Sequence, residues 1–176
     1  ALEAHYDTTG WNFKVIKTGD VINIGSRNIT FLTTPMLHWP DSMMTYVVED
    51  KVLMANDGFG QHLCCEALFV KDYPNDLVFK NAKSHYANIL MPFGKQAKKA
   101  LSGASELKLD IEMIAPSHGL IWSGNDEVNQ ILSAYKDWAD GKTKNKAVIV
   151  YDTMWGATAK LAETAMAEFQ DAGINV

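Results

Sequence analysis

The chain has 176 residues, 47% hydrophobic and 21% charged, with a formal net charge of −5. These values fit one soluble globular domain, or one and a part, with a sizeable core. No Lys/Arg block occurs, which disfavours nucleic acid or an anionic membrane as partner, and no apolar run has the length of a bilayer span or the make-up of a secretory signal.

The two cysteines, Cys64 and Cys65, are adjacent. Neighbouring cysteines make a poor structural disulfide and cannot form a four-thiol zinc site, so a free thiol pair in a reducing, cytoplasmic setting is expected. Asn28-Ile29-Thr30 then matches a glycosylation acceptor only by chance. The sequence opens without Met and ends on Gly173-Ile174-Asn175-Val176, which reads as the opening of a strand. A piece of a longer protein is the expectation.

In chain order, Phe13–Ile16, Val21–Ile24 and Asn28–Thr33 read as a meander of short antiparallel strands. Pro35 stops the third, and a loop carrying His38 follows. Met44–Val48 and Val52–Ala55 flank the polar Glu49-Asp50-Lys51, the pattern of a β-hairpin. Its outer ends lie side by side, so the His38 loop and Asn56-Asp57-Gly58 are expected at one sheet edge. From Asn75 the periodicity turns helical, with Leu77, Phe79, Ala82, Tyr86, Ile89 and Leu90 as the apolar stripe and an interruption at Pro92. Phe93–Leu101 reads as a second helix ending at Gly103. Ile111–Ala115 reads as a strand closed by Pro116, with His118 just beyond. Val128, Ile131, Leu132, Tyr135 and Trp138 form one stripe of a further helix.

Residues 141–146 are polar and basic, and read as a linker. Residues 1–140 then form one domain and 147–176 the start of another. Ala147–Tyr151 is a nearly continuous apolar run, as in a parallel strand buried on both faces. A polar loop and a helix with Leu161, Ala162, Ala165 and Phe169 follow, and Gly173 supplies the stop.

Three polar residues stand at strand ends: His38, Asp57 and His118. Imidazole and carboxylate together suit zinc or iron, and one carboxylate has the two oxygens needed to bridge a metal pair. Each residue also has an ordinary structural reading, and Asp57 before Gly58 fits a plain turn. Three ligands do not complete a two-metal site, so further ligands must come from outside this chain. His5 reads as solvated, His62 as a neighbour of the metal loop, and either His85 or Tyr86 as facing the site; each also reads as purely structural. The loop Thr153-Met154-Trp155-Gly156-Ala157-Thr158 lies between a strand and a helix. Hydroxyl donors, a glycine and a helix N-terminus suit a phosphate monoester such as that of FMN. The loop lacks the P-loop lysine and the G-x-G-x-x-G pattern. The plain alternative is that Thr158 caps its helix.

His38-Trp39-Pro40-Asp41-Ser42, Asn56-Asp57-Gly58-Phe59-Gly60, Tyr73-Pro74-Asn75-Asp76, Tyr86 through Phe93, Pro116-Ser117-His118-Gly119 and Tyr151 through Gly156 together resemble the flavodiiron proteins. The resemblance implies an α/β chain: the second half of a metallo-β-lactamase-like αββα domain, then the first β-α unit of a flavodoxin-like domain. It implies that His38 and His118 each ligate one iron of a di-iron centre and that Asp57 bridges them. Residues Thr153 to Thr158 would hold the FMN phosphate, and Tyr86 would face bound substrate. The family's His-x-Glu-x-Asp ligand cluster is absent from these residues. For the full protein the resemblance implies reduction of O2 to water or of NO to N2O, a donor such as rubredoxin, and a head-to-tail homodimer. The rival readings are a zinc hydrolase of the metallo-β-lactamase superfamily, and an inactive piece that keeps the fold but neither cofactor.

Overall fold

The computed structural model describes residues 2–176. The chain divides into two compact units, Ala1–Gly141 and Lys142–Val176. The first is built on a six-stranded sheet in the spatial order β1-β2-β3-β4-β5-β6. The strands are β1 (Val21–Asn23), β2 (Asn28–Thr33), β3 (Met43–Val47), β4 (Val52–Met54), β5 (Met113–Ala115) and β6 (Trp122–Ser123). All neighbours are antiparallel except β4 and β5, which run parallel. A parallel pair needs a long crossover, and residues 55–112 supply it with most of the unit's helices.

One face of the sheet makes the core. Tyr46 pairs with Leu53, Leu53 with Ile114 and Ile114 with Trp122, so a row of apolar side chains crosses four strands. All four are buried, none more than 5% exposed. Full burial of a side chain of this size stabilises by about 1.5–3 kcal/mol relative to leaving it in water. Helix α2 (Asn75–His85), α3 (Gly94–Glu106) and α4 (Asn125–Ala139) cover that face with Val78, Ala82, Ala97, Ala100, Val128, Ile131 and Tyr135. A short N-terminal helix α1 spans Leu2–His5. Helix α4 begins at Gly124, and Glu127 reaches back to accept the Ser123 N–H at 3.0 Å. That bond ties the first turn of α4 back to the end of β6.

The hairpin β3–β4 and the α4 stripe match the expectations. Other elements differ. Phe13–Ile16 is not a strand; Phe13 and Val15 are exposed and have no ladder partner. Of the expected α2 stripe only Leu77 is exposed; Ala82, Tyr86 and Leu90 are buried, Phe79 and Ile89 pack against the core, and Val78 and His85 face it too. Pro92 does not break the path. A π-helical turn (Tyr86–Leu90) and a 3-10 turn (Met91–Phe93) carry it into α3, with Pro92 in a first turn where no N–H is needed. Gly103 does not end α3. A Cβ there would lie 2.8 Å from Leu32 Cδ1, so the glycine lets the helix approach β2. The two-residue strand β6 was not anticipated.

In the second unit, helix α5 spans Ala157–Asp171 and is followed by Gly173 at φ +74°. Residues 147–151 form no strand, and Val148 and Val150 are exposed. A strand exists only through its neighbour, and the one bridge described here joins Lys146 to Asn175.

Candidate metal centre

Residues 34–42, between β2 and β3, turn sharply. Thr34 N–H donates to the Ser42 carbonyl at 2.9 Å, and Met36 N–H to the Trp39 carbonyl at 2.7 Å. The Ser42 hydroxyl donates to the Leu37 carbonyl at 2.7 Å, and the Leu37–His38 peptide is cis. The loop projects His38 towards the end of β4. There Asp57 stands two residues beyond Ala55, whose N–H binds the Ala115 carbonyl at 3.0 Å. That bond sets the β4 loop beside the loop that carries His118.

The three side chains meet. His38 Nε2 lies 3.0 Å from Asp57 Oδ2, and His118 Nε2 lies 3.0 Å from Asp57 Oδ1. One carboxylate thus serves two imidazoles, one on each oxygen. The Asp57 side chain is 19% exposed and those of His38 and His118 26% and 38%, so the cluster lies at the surface rim of the sheet.

Residues that carry no metal chemistry hold the loops. Asn56, at φ +54°, accepts the Ser117 N–H on its carbonyl at 2.7 Å and the Ser117 hydroxyl on Oδ1 at 3.2 Å. Gln61 is fully buried. Its Nε2 donates to the Phe59 carbonyl at 2.8 Å, its Oε1 accepts the Leu120 N–H at 2.6 Å, and its own N–H donates to the His118 carbonyl at 3.3 Å. Trp122 Nε1–H also donates to the Phe59 carbonyl at 2.8 Å, and Phe59 N–H donates to the Tyr135 hydroxyl at 2.7 Å. Burial pushes the Tyr135 phenol up, which keeps it neutral. Gly119, at φ +86°, leaves no room for a side chain: a Cβ would lie 2.6 Å from the Gln61 carbonyl oxygen and closer still to its Oε1. Gly119 next to His118, and Gly60 next to Gln61, were the available sequence signals for this clamp.

The weaker histidines form a second group. His62, His85 and His118 have ring centroids 4.7 Å apart for His62–His85, 5.1 Å for His85–His118 and 5.2 Å for His62–His118. His85 is 1% exposed, and neither ring nitrogen has a hydrogen-bond partner. Burial first, then the neighbouring His62 and His118, press its pKa down to about 4. Tyr86 is buried against Tyr135 and Trp138, with its hydroxyl unpaired and its pKa raised by burial. His5 is exposed at the end of α1. Both cysteines are free thiols, as expected.

In the second unit, Thr153 Oγ1 accepts the Gly156 N–H at 3.0 Å, and Asp152 Oδ1 accepts the Thr153 N–H at 2.7 Å. Gly156, at φ +83°, precedes α5. Thr158 is already inside the helix, one residue past Ala157, and no side chain caps the helix start, so the plain capping reading of Thr158 fails. Met154 and Trp155 are 83% and 90% exposed.

Residues 1–119 match the family model described as ODP family beta lactamase. The chain belongs to the ODP family. Several solved structures that it resembles are described as flavodiiron proteins. The nitric oxide reductase of Moorella thermoacetica is 45% identical over 166 residues, which cover 94% of this chain and 41% of that protein. Rubredoxin oxygen:oxidoreductase from Desulfovibrio gigas superposes with a TM-score of 0.89 at 36% identity, covering 99% of this chain and 43% of that one. The flavodiiron protein of Giardia intestinalis superposes with a TM-score of 0.80 at 34% identity, covering 92% of this chain and 39% of that one. The chain thus spans about two fifths of the length of the relatives it matches. Among the described residues no helix is long and apolar enough to cross a membrane.

Proposed function

We propose that this chain belongs to a flavodiiron oxidoreductase that reduces O2 to water or NO to N2O. The observation that carries the reading is Asp57, with one histidine Nε2 at 3.0 Å from each carboxylate oxygen. That donor set fits a metal pair. His38 would serve one ion, His118 the other, and Asp57 would join them, while the bonds through Asn56 and Gln61 hold the three loops against each other. In the second unit the Gly156 turn, the Thr153 hydroxyl and the uncapped start of α5 fit a phosphate monoester, and residues Thr153, Met154, Trp155, Gly156, Ala157 and Thr158 would hold that of FMN. When bound, a di-iron centre supplies the redox chemistry that such diatomic substrates need, and FMN supplies its electrons.

Residues 1–140 are then the metal domain, 141–146 a linker and 147–176 the opening of the flavin domain. Tyr86 would stand behind the site, its buried hydroxyl unpaired and its ring held by Tyr135 and Trp138. The same reading gives a cytoplasmic head-to-tail homodimer fed by rubredoxin or a similar donor. The name of the Moorella relative favours NO and that of the Desulfovibrio neighbour favours O2. Metal and flavin analysis of the intact protein, with anaerobic consumption assays for each gas, tests the proposal. Two irons and one FMN per chain with turnover of either gas are expected. Zinc without flavin absorbance would overturn it in favour of a hydrolase.

A further inference from the structure

We propose that an apolar cavity in the core, behind the loops that carry His38 and Asp57, is a docking site for an uncharged diatomic gas and is reached from the groove between α3 and α4. Naming that gas as O2 or NO rests on the proposed function; the cavity itself does not. Its wall includes Leu53 on β4, Ala97 and Ala100 on α3, and Tyr135 on α4. It leaves about 20 Å3 for the centre of a water-sized sphere. A single water needs about 10–15 Å3 by that measure, so a small diatomic fits. Water itself is poorly held there, because a buried water makes about three hydrogen bonds. The Tyr135 hydroxyl is the only O–H or N–H side-chain group among the described residues of the wall, and it already accepts the Phe59 N–H at 2.7 Å. Dry apolar cavities take up xenon and small apolar molecules instead.

The wall joins two places. One part of it is Leu37, Gly58 and Phe59, all buried. Leu37 directly precedes His38, and Gly58 and Phe59 directly follow Asp57, so the two loops that meet at the carboxylate also close the cavity. Among the described residues, none of His38, Asp57, His62, His85 and His118 lines it. Another part is Leu101, Ile111 and Leu132, which are half-buried and also line the surface groove between α3 and α4. The cavity thus lies between solvent and the candidate metal centre. The sequence of α3 makes the space. Ala97, Ala100 and Ala104 fall on one helix face, and their short side chains leave unfilled a gap of a size that close-packed interiors seldom keep. An apolar gas forfeits no hydrogen bond on entering, whereas water and ions would lose theirs.

Crystals of the intact protein under xenon pressure test the site, because xenon is an inert apolar probe whose position is read directly. A xenon peak in contact with Leu53, Ala100 and Tyr135 is expected in the unaltered protein. Ala100→Leu fills the space with a longer apolar side chain, and the peak should be lost. Where that change disturbs folding, Ala104→Leu fills the cavity from a half-buried position and should remove the peak as well. No xenon there in the unaltered protein, or a peak that survives in either folded variant, would overturn the site. Initial rates over a range of dissolved gas then separate the two gases. Either variant should raise the KM for O2, for NO or for both several-fold, and the gas affected is the occupant. A KM unchanged for both would overturn the role in gas supply. Xenon bound without turnover of either gas would leave the cavity standing and overturn the proposed function instead.

Discussion

The loops that carry His38, Asp57 and His118 in the first unit and the Thr153 loop of the second are held in opposite ways. Around Asp57 the bonds that matter join residues far apart in sequence: Ala55 to Ala115, Asn56 to Ser117, Gln61 to Leu120, Phe59 to Tyr135. Several involve fully buried groups, for which water offers no substitute partner. Around Thr153 the bonds are local, from Asp152 to Thr153 and from Gly156 to Thr153, and the loop residues are exposed. A site that must hold two imidazoles on one carboxylate needs non-local restraint. A loop that presents backbone N–H groups needs only its own turn geometry.

Gly119→Ala should break the first arrangement outright. Its Cβ would enter the Gln61 backbone while the residue keeps a left-handed φ, and a loss of about 3 kcal/mol or more is expected in urea unfolding. Gln61→Leu keeps the volume but strands the buried Leu120 N–H; about 2 kcal/mol should be lost, with weaker metal binding at His118.

His85→Leu acts in the other direction. Removing two unpaired buried nitrogens should stabilise the metal-free protein by about 1 kcal/mol at pH 8. The pH dependence sharpens this. His85 titrates near 4 in the folded chain against an ordinary 6.5, so the unfolded chain takes up its proton first. The stability tied to its neutral form is complete above pH 6.5 and is lost as the pH falls towards 4. Urea midpoints of His85→Leu should decline less over that window than those of the unaltered protein.

Thr153→Ala should have the smallest effect, about 0.5 kcal/mol, because water replaces its hydroxyl at the exposed Gly156 N–H. The unfolding midpoint of the first unit should not move. A large effect there would show that the Thr153 loop is not locally held.

The meeting of His38, Asp57 and His118 was largely legible beforehand. Two apolar runs around Glu49-Asp50-Lys51 specify a hairpin, and a hairpin brings its ends together, so His38 and Asp57 follow. His118 was legible for the same reason, as the polar residue after a short apolar run. The clamp was not, because Gln61 and Asn56 act through partners 59 and 61 residues away. Nor was the histidine triangle. The stripe read over α2 did find Ala82, Tyr86 and Leu90, and the choice between His85 and Tyr86 stayed open until the packing of Val78 and Ala82 on the core turned His85 inwards as well. The runs at Phe13 and Ala147 carry strand composition and form none, since composition does not provide a ladder partner.

By itself the sequence determined the elements whose signal is local: the hairpin, the α4 stripe and the three polar residues at strand ends. Side-chain periodicity and turn chemistry act within a few residues and do not depend on what lies opposite. Only the tertiary structure decided the parallel pairing of β4 with β5 and the meeting of His62, His85 and His118. Those depend on which buried surfaces fit one another across the crossover, and the helical period alone leaves that choice open.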